Sequence, residues 1–330
     1  MKVVVLGSGS WGCALANVLA DNDQEVIVWG ICKEEIDDIN TNHKNSKYFD
    51  AILSDKIKAT MDIECIKDAD VLLLGIPSQA IEEVCNKIEA HSTKPAIIIN
   101  VSKGFHPTTH ERLSVVIDKN LSSKSKKAIV SLIGPSHAEE VVIRLMTCLN
   151  AVSDDIEAAK VVQRLFSNSY FRVYTNTDVI GAEIGVAIKN IMAIASGVLT
   201  GIGQGDNAKA ALMTRGLAEM TRYGIFYGAN PNTYLGLDGV GDLIVTCTSV
   251  HSRNFQAGLA IGKAGSAVDF LAHNTKTVEG IKACKIVYEE AIKNNISMPI
   301  TSEVYKVLYE GKDCYQAIND LMNRELKEEF

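Results

Sequence analysis

The chain has 330 residues, of which 47% are hydrophobic, and a formal net charge of −7. A chain of this length exceeds one ordinary core and predicts two domains, and its acidic balance, without a basic tract, argues against a nucleic-acid partner. The longest apolar stretches, such as Val71–Leu74 with the three residues that follow it, are too short to span a bilayer, so we expect no stable membrane insertion.

A glycine-rich turn follows the first predicted strand. The strand Lys2–Leu6 runs into Gly7, Gly9 and Gly12 of a G-x-G-x-x-G, and an apolar helical pattern comes next. Strand, turn and helix in this order are the context in which the motif binds the pyrophosphate of a dinucleotide. The first N–H groups of the helix would hold the phosphates. The alternative is an ordinary glycine-rich βα turn.

The second predicted strand, Glu25–Trp29, ends without the acidic residue that reads the ribose in NAD-preferring sites. Glu34 and Glu35 come slightly late, and Lys33 could meet a 2′-phosphate. The pattern favours NADP(H) over NAD(H). The alternative is that Lys33 is a solvated surface residue.

Continuous apolar runs alternate with helical patterns up to residue 176. Residues 34–60 are predicted to form a helix that gives way to a surface loop. The predicted strands after it are 70–78, 96–101, 128–133, 147–152 and 171–174, and helices are predicted at 79–90 and 155–167. This alternation is typical of a Rossmann-type, doubly wound parallel sheet covered on both faces. Lys103, Ser136 and His137 follow strand ends, which is where such sheets bind ligands.

The character of the chain changes near Asn176, and after Thr177 no clear strand remains. Helices are predicted at 178–200, 208–228, 242–249, 253–263, 278–294, 300–310 and 313–327. The sequence therefore predicts a dinucleotide-binding Rossmann domain over 1–176 and an all-helical substrate and catalytic domain over 177–330.

Three positions of the helical half could take part in chemistry. Lys189 lies among small and apolar residues of one helix, and poor solvation would suit it to general acid–base work, unless it snorkels to the surface. Asp242 follows Gly239–Gly241 as a plain helix N-cap would. Arg253 stands at a helix start, where N–H groups and guanidinium can receive a phosphate; a capped surface helix is the alternative.

Cysteines and histidines give mainly negative information. The eight cysteines are scattered singly, and no two of them form a C-x-x-C pair. The spacing of zinc sites and redox dithiols is therefore absent from the sequence. Single cysteines in a chain of this size are typical of a protein of the reduced cytoplasm. Among seven histidines no H-E-x-x-H occurs, so we expect no metal. His137 could act as an acid or base, or be a loop residue satisfied by the backbone.

These motifs together resemble the bacterial type of NAD(P)-dependent glycerol-3-phosphate dehydrogenase over nearly the whole chain. The stretches that carry the resemblance are Gly7–Ala14, Val101–Gly104, Gly134–Ala138, Gly185–Ile191, Gly239–Leu243 with Thr246–Thr248, Ser252–Asn254 and Val278–Gly280. The later motifs are far more specific than the glycine turn.

The resemblance implies an enzyme that interconverts dihydroxyacetone phosphate and sn-glycerol 3-phosphate with NADP(H) and/or NAD(H) and no metal, usually for glycerophospholipid synthesis, with a homodimer allowed. It implies that Lys189 exchanges the proton of the C2 hydroxyl. The implied substrate-binding residues are Lys103, Gly134, Ser136, Lys189, Asp242, Ser252, Arg253 and Asn254. The implied cofactor-binding residues are Gly7, Gly9, Ser10, Trp11, Gly12, Tyr48, Lys103, Ala138, Arg253, Thr277 and Glu279.

Two departures and two rival functions stay open at this point. Ile31 stands where the family often has His or Arg, and a basic family position falls at Tyr48. A dehydrogenase of similar build that acts on a β-hydroxyacid would also suit Arg253, and assays with and without the substrate phosphate would separate the two. A silent NAD(P) sensor would bind the cofactor without turnover.

Overall fold

The computed structural model describes residues 1–275, 277–326 and 328–329. The chain forms two compact units, residues 1–183 and residues 184–330. The break falls inside one long helix, so no separate linker segment joins the two units.

The first unit contains a sheet of eight strands. These are β1 (Lys2–Leu6), β2 (Glu25–Trp29), β3 (Lys58–Thr60), β4 (Val71–Leu74), β5 (Ala96–Asn100), β6 (Lys126–Ile133), β7 (Thr147–Val152) and β8 (Phe171–Asn176). Their spatial order is β3-β2-β1-β4-β5-β6-β7-β8. The Rossmann-type architecture is confirmed, and β3 is a short edge strand inside the stretch that the sequence indicated as helix and loop.

One strand pair contradicts the expected all-parallel sheet. β6 and β7 are antiparallel, with Ser131 opposite Val152. The connection between them contains only the five-residue helix α5 (Ala138–Val142), which rises about 7.5 Å. The eight-residue strand β6 spans about 26 Å. Because α5 is too short to carry the chain back to the start of β6, the next strand runs in the opposite direction.

Helices cover both faces of this sheet. They are α1 (Ser10–Asp21), α2 (Lys33–Asn42), α3 (Ile81–His91), α4 (Leu113–Asn120), α5 and α6 (Ile156–Phe166). Because strand side chains alternate, Val3 and Val5 belong to one core layer with α1 and α6. Val4 and Leu6 belong to the opposite layer with α3 and α4. The prediction of a sheet buried on both faces is confirmed, although the sequence patterns predicted neither α4 nor α5.

The second unit is helical. Its helices are α7 (Val179–Gly201, which starts in the first unit), α8 (Asp206–Phe226), α9 (Asp242–Thr248), α10 (Arg253–Ala264), α11 (Val268–His273), α12 (Glu279–Lys293), α13 (Pro299–Tyr309) and α14 (Cys314–Met322). A 3-10 turn (Pro231–Leu235) and a π-helical turn (Leu237–Gly241) precede α9. The seven predicted helices are present, although the last, predicted over 313–327, ends at Met322, and residue 327 lies outside the described residues. Helix α11 and the two turns are additions.

Helix α7 corrects the statement that every apolar stretch is too short for a bilayer. Among the described residues it is the one helix long and apolar enough to cross a membrane, with 23 residues and a mean hydropathy of 1.5. Within an apolar window of 18 residues of this helix, 89% of the window is buried inside the protein, as in a core helix. Its length and composition are therefore weak evidence for a membrane span.

Candidate active site

The glycine turn has the geometry that a dinucleotide pyrophosphate requires. Gly7 has a φ of +123°, and a Cβ added there would collide with the carbonyl oxygen of Gly75. A Cβ on Gly12 would collide with the carbonyl oxygen of Gly7, so α1 can start directly against β1 only with glycine. A Cβ on Gly9 would meet no protein atom within 4 Å. The backbone at Gly9 is thus open to a phosphate.

The start of α1 has the right electrostatics for that ligand. Ser10 and Trp11 begin the helix, its first turn contains no acidic residue, and the N-cap Gly9 has no side chain to satisfy the first N–H groups. These N–H groups and the helix dipole favour an anion. The residues present therefore fit a dinucleotide.

The end of β2 differs from what the sequence suggested. Lys33 is exposed and pairs with Asp37 on α2, in line with the alternative reading of Lys33 as a surface residue. Glu35, noted in the sequence only as a late acid, is 6% exposed and accepts a hydrogen bond from Ser8 Oγ at 2.5 Å. An acidic side chain is therefore attached to the glycine turn itself.

Two further residues hold the Glu35 carboxylate. Lys47 Nζ donates to Glu35 Oε1 at 2.6 Å and Tyr48 OH donates to the same oxygen at 3.3 Å. Burial tends to raise the pKa of Glu35, but the hydrogen bonds from Lys47 and Ser8 outweigh it and hold the pKa below its ordinary value. The predicted cofactor residue Tyr48 is thereby connected to the glycine turn through Glu35.

The other candidate residues of the first unit follow β5 and β6, which are neighbours in the sheet. Lys103 is half-buried, and no hydrogen-bond or ion-pair partner is found for it among the described residues. Gly134 has a φ of +143° and its carbonyl accepts from Ser136 Oγ at 3.1 Å. Ala138 is the first residue of α5 and is buried. Parallel neighbours bring these positions to one edge of the sheet.

In the second unit, Lys189 and Asp242 form a buried ion pair. Lys189 on α7 is 1% exposed and Asp242 on α9 is fully buried. The snorkelling alternative for Lys189 is thus wrong. Asp242 Oδ2 is buried and has no hydrogen-bond partner among the described residues, so it is an acceptor available to a hydroxyl group.

The N-cap interpretation of Asp242 is also wrong. Gly241 is the N-cap of α9, and Asp242 is the first residue of the helix. The preceding π-helical turn, Leu237–Gly241, continues directly into α9. The carboxylate is therefore directed to Lys189 rather than back to its own backbone. Thr246 Oγ1 donates to the Asp242 carbonyl at 2.6 Å.

A chain of buried amides links three helices next to this pair. Asn254 Nδ2 on α10 donates to Asn190 Oδ1 on α7 at 3.0 Å, and Gly280 N on α12 donates to Asn254 Oδ1 at 2.9 Å. The Asn254 side chain, expected at the substrate, is therefore engaged in holding the helices together. Asn190 lies in the motif stretch Gly185–Ile191, but the sequence assigned it no role.

The start of α10 carries the remaining candidate residues. Ser252 is the N-cap of α10, and its Oγ accepts a hydrogen bond from Phe255 N at 3.2 Å. The Arg253 side chain is 60% exposed and lies 3.6 Å from Glu279 at the start of α12. Thr277 is exposed and lies two residues before Glu279. A cationic group and a helix N-terminus thus share one exposed position.

The glycine turn, the doubly wound sheet and the buried lysine–carboxylate pair define a dinucleotide-dependent dehydrogenase. No group of three or more histidine, cysteine or acidic side chains within the described ranges could hold a metal. Comparison with known proteins then identifies the particular family. The NAD-dependent glycerol-3-phosphate dehydrogenase N-terminus matches residues 2–159, and the corresponding C-terminus matches residues 178–319. The chain belongs to the NAD-dependent glycerol-3-phosphate dehydrogenase family.

Individual relatives agree with this assignment. The chain is 50% identical to "Glycerol-3-phosphate dehydrogenase [NAD(P)+]" of Streptococcus equi subsp. zooepidemicus, over 99% of this chain and 97% of the relative. The crystal structure of a glycerol-3-phosphate dehydrogenase from Coxiella burnetii superposes with a TM-score of 0.89 at 33% identity, covering 98% of this chain and 99% of that one. The structure of the glycerol-3-phosphate dehydrogenase from Saccharomyces cerevisiae superposes with a TM-score of 0.84 at 28% identity, covering 98% of this chain and 99% of that one.

Proposed function

We propose that this protein reduces dihydroxyacetone phosphate reversibly to sn-glycerol 3-phosphate with NADPH or NADH. The observation that carries the proposal is the buried pair of Lys189 and Asp242. It places a proton-carrying amine beside an acceptor, Asp242 Oδ2, that has no hydrogen-bond partner within the described part of the chain. A polyol phosphate has the hydroxyl groups that such a site requires.

Lys189 is the general acid in the reducing direction. Its Nζ gives a proton to the oxygen on C2 as that carbon receives a hydride, so the carbonyl becomes a secondary alcohol, and the reverse reaction returns both. The nicotinamide supplies the hydride when it is bound. Asp242 holds the ammonium in place, and Lys103 stabilises the negative charge that develops on the oxygen.

The start of α10 holds the phosphate of the substrate. Ser252 fixes the first turn through its bond to Phe255 N, so the N–H groups of Arg253 and Asn254 face the end of the helix without intrahelical partners. The exposed Arg253 guanidinium adds a forked donor. Gly134 and Ser136 complete the proposed substrate-binding set.

The first unit binds the dinucleotide. We assign Gly7, Gly9, Ser10, Trp11 and Gly12 to the pyrophosphate, and Tyr48, Lys103, Ala138, Arg253, Thr277 and Glu279 to the rest of the cofactor. In this proposal, residues 1–176 form the cofactor-binding domain and residues 177–330 form the substrate-binding and catalytic domain. Because Lys47 neutralises Glu35, the end of β2 offers no free acid to repel a 2′-phosphate and allows both cofactors.

We further propose that the protein works in the cytoplasm without membrane insertion, that it can form a homodimer, and that its product enters glycerophospholipid synthesis. All eight cysteines are unpaired, the apolar window of α7 is largely buried, and the net charge of −7 offers no attraction to anionic lipid. Sedimentation equilibrium measures the subunit number, and fractionation of cells that express the protein measures its location.

The reaction is tested by following absorbance at 340 nm with dihydroxyacetone phosphate, once with NADPH and once with NADH. We expect oxidation of at least one cofactor, and a large loss of rate with unphosphorylated dihydroxyacetone. Equal rates with the two ketones would show that no phosphate site exists. Cofactor binding without turnover on either ketone would favour the sensor.

A further inference from the structure

A cavity of about 710 Å³ lies entirely within the second unit. Helices α7, α8, α13 and α14 form it, and apolar side chains such as Val198, Leu212, Val304 and Leu308 make most of its wall. Its volume is in the range of sites that bury small organic ligands. Neither Lys189, Asp242 nor Arg253 lines it, so this cavity is separate from the proposed active-site residues.

Arginines lie along the cavity. Arg215 and Arg222 both line it from α8, two helical turns apart and therefore on the same side of that helix. Arg324, just after α14, also lines it. No ion-pair partner of Arg324 is found among residues 1–275, 277–326 and 328–329. An apolar wall thus has three guanidinium groups beside it.

Neither acidic residue of the cavity, both of them described, forms an ion pair with these arginines. Glu219 accepts hydrogen bonds from the backbone N–H groups of Ile300 and Thr301 at 2.5 and 3.1 Å. Glu303 accepts from Lys306 at 2.7 Å and also from Lys312. Both carboxylates are therefore engaged with α13 or with lysines. Arg222 also donates to the carbonyl oxygen of Ser297 and interacts electrostatically with Glu219, and its guanidinium has further N–H groups for a ligand.

A carboxylate of the chain itself lies beside Arg215 at this cavity. The carboxylate of Glu329, in the exposed C-terminal tail, lies 3.6 Å from Arg215. The pair is long and partly exposed, and such ion pairs stabilise a protein by less than about 1 kcal/mol. A stronger anion could therefore replace Glu329 at little cost.

We propose that this cavity binds a single-chain anionic amphiphile, with its alkyl chain along the apolar wall and its head group on Arg215 and Arg222. Charge complementarity selects this ligand, because the guanidinium groups bind a carboxylate or phosphate head and the wall excludes water from the chain. The inference does not depend on the proposed dehydrogenase reaction.

Calorimetric titration of the full-length protein with decanoate, below the concentration at which it forms micelles, tests the site. Decanoate is expected to bind with at least tenfold lower Kd than 1-decanol. Dodecyl phosphate in a parallel titration distinguishes a phosphate-headed ligand from a free fatty acid. No binding of either anion, or equal binding of acid and alcohol, would overturn the proposal.

Two variants locate the ligand. Ala208→Trp fills the cavity from the partly exposed side of α8 and should raise the Kd of decanoate at least tenfold. Its matched control is Ala210→Trp, on the same helix but exposed and outside the cavity. The double variant Arg215→Gln/Arg222→Gln should weaken decanoate but not 1-decanol, whereas Arg164→Gln, an exposed arginine of α6, should change neither.

A second copy of the chain is the competing occupant. Sedimentation equilibrium of the wild type and of Ala208→Trp distinguishes the two. If Ala208→Trp dissociates a dimer and decanoate does not bind the wild type, the cavity is an interface between subunits and the proposal is wrong. An unchanged subunit number together with the loss of decanoate binding supports the amphiphile site.

Discussion

Lys189 and Asp242 form an ion pair in which neither residue is more than 1% exposed. Removing two charges from water costs several kcal/mol for each ion, and their attraction offsets that cost only when both are present. Burial favours a neutral amine, and the carboxylate favours the ammonium. The pair is therefore weak evidence for stability, and the proposed proton transfer by Lys189 gives it a function.

Replacing Lys189 with alanine should lower kcat by about 100-fold or more, because the proton donor is removed. Dinucleotide binding, measured by fluorescence titration, should persist, since the glycine turn belongs to the first unit. Near-normal turnover of Lys189→Ala would contradict the assignment of Lys189 as the general acid.

Replacing Asp242 with leucine should destabilise the protein by about 3–5 kcal/mol, because a buried ammonium is left without its counter-charge. The double variant Lys189→Met/Asp242→Leu should regain much of this free energy of unfolding while remaining inactive. Denaturant melts of Lys189→Met, Asp242→Leu and the double variant measure the coupling free energy between the two side chains. Additive losses would show that the two charges do not interact.

Replacing Arg253 with alanine should mainly raise the KM for dihydroxyacetone phosphate, because in the proposed site the guanidinium binds the phosphate, the non-reacting end of the substrate. Lys263→Ala is the matched control, since Lys263 is an exposed cation on the same helix. An unchanged KM in Arg253→Ala would place the phosphate elsewhere.

Glu35→Gln should shift cofactor preference towards NADPH. The change removes a negative charge attached to Ser8 and leaves the Lys47 ammonium without its partner. An effect of about 1 kcal/mol would change the ratio of kcat/KM for NADPH and NADH roughly fivefold. Glu34→Gln, an exposed carboxylate beside it, should leave the ratio unchanged. The same ratio in both variants would show that Glu35 does not affect the cofactor.

Glu219 should make stability depend on pH. Burial raises its pKa from 4.5 to about 7, against the backbone hydrogen bonds from Ile300 and Thr301. Between these two values the folded state keeps a proton that the unfolded state has lost. The stabilisation is therefore complete below pH 4.5 and is lost as the pH rises through 7, at about 1.4 kcal/mol for each pH unit.

The Glu219→Gln variant should lack this loss. Its free energy of unfolding, relative to that of the wild type, should rise between pH 5 and 7.5, as denaturant melts at each pH would measure. Glu289→Gln, an exposed carboxylate of α12, is the control and should follow the wild type. A constant difference between Glu219→Gln and wild type across this range would show that Glu219 titrates at its ordinary pKa.

The sequence by itself determined the elements that depend on local pattern. The strand Lys2–Leu6, its glycine turn and the change from strands to helices near Asn176 could be read because side-chain period and glycine placement act within a few residues. The positions of Lys103 and Ser136 past strand ends were predictable for the same reason.

Only the tertiary structure decided what depends on residues distant in the chain. Asp242 has the sequence context of an N-cap, yet it pairs with Lys189, 53 positions earlier. Glu35 has the context of an exposed helix start, yet it is buried between Ser8 and Lys47. Helical and strand periods carry no information about such contacts, because a charge can be buried only where the packing of other elements places its partner.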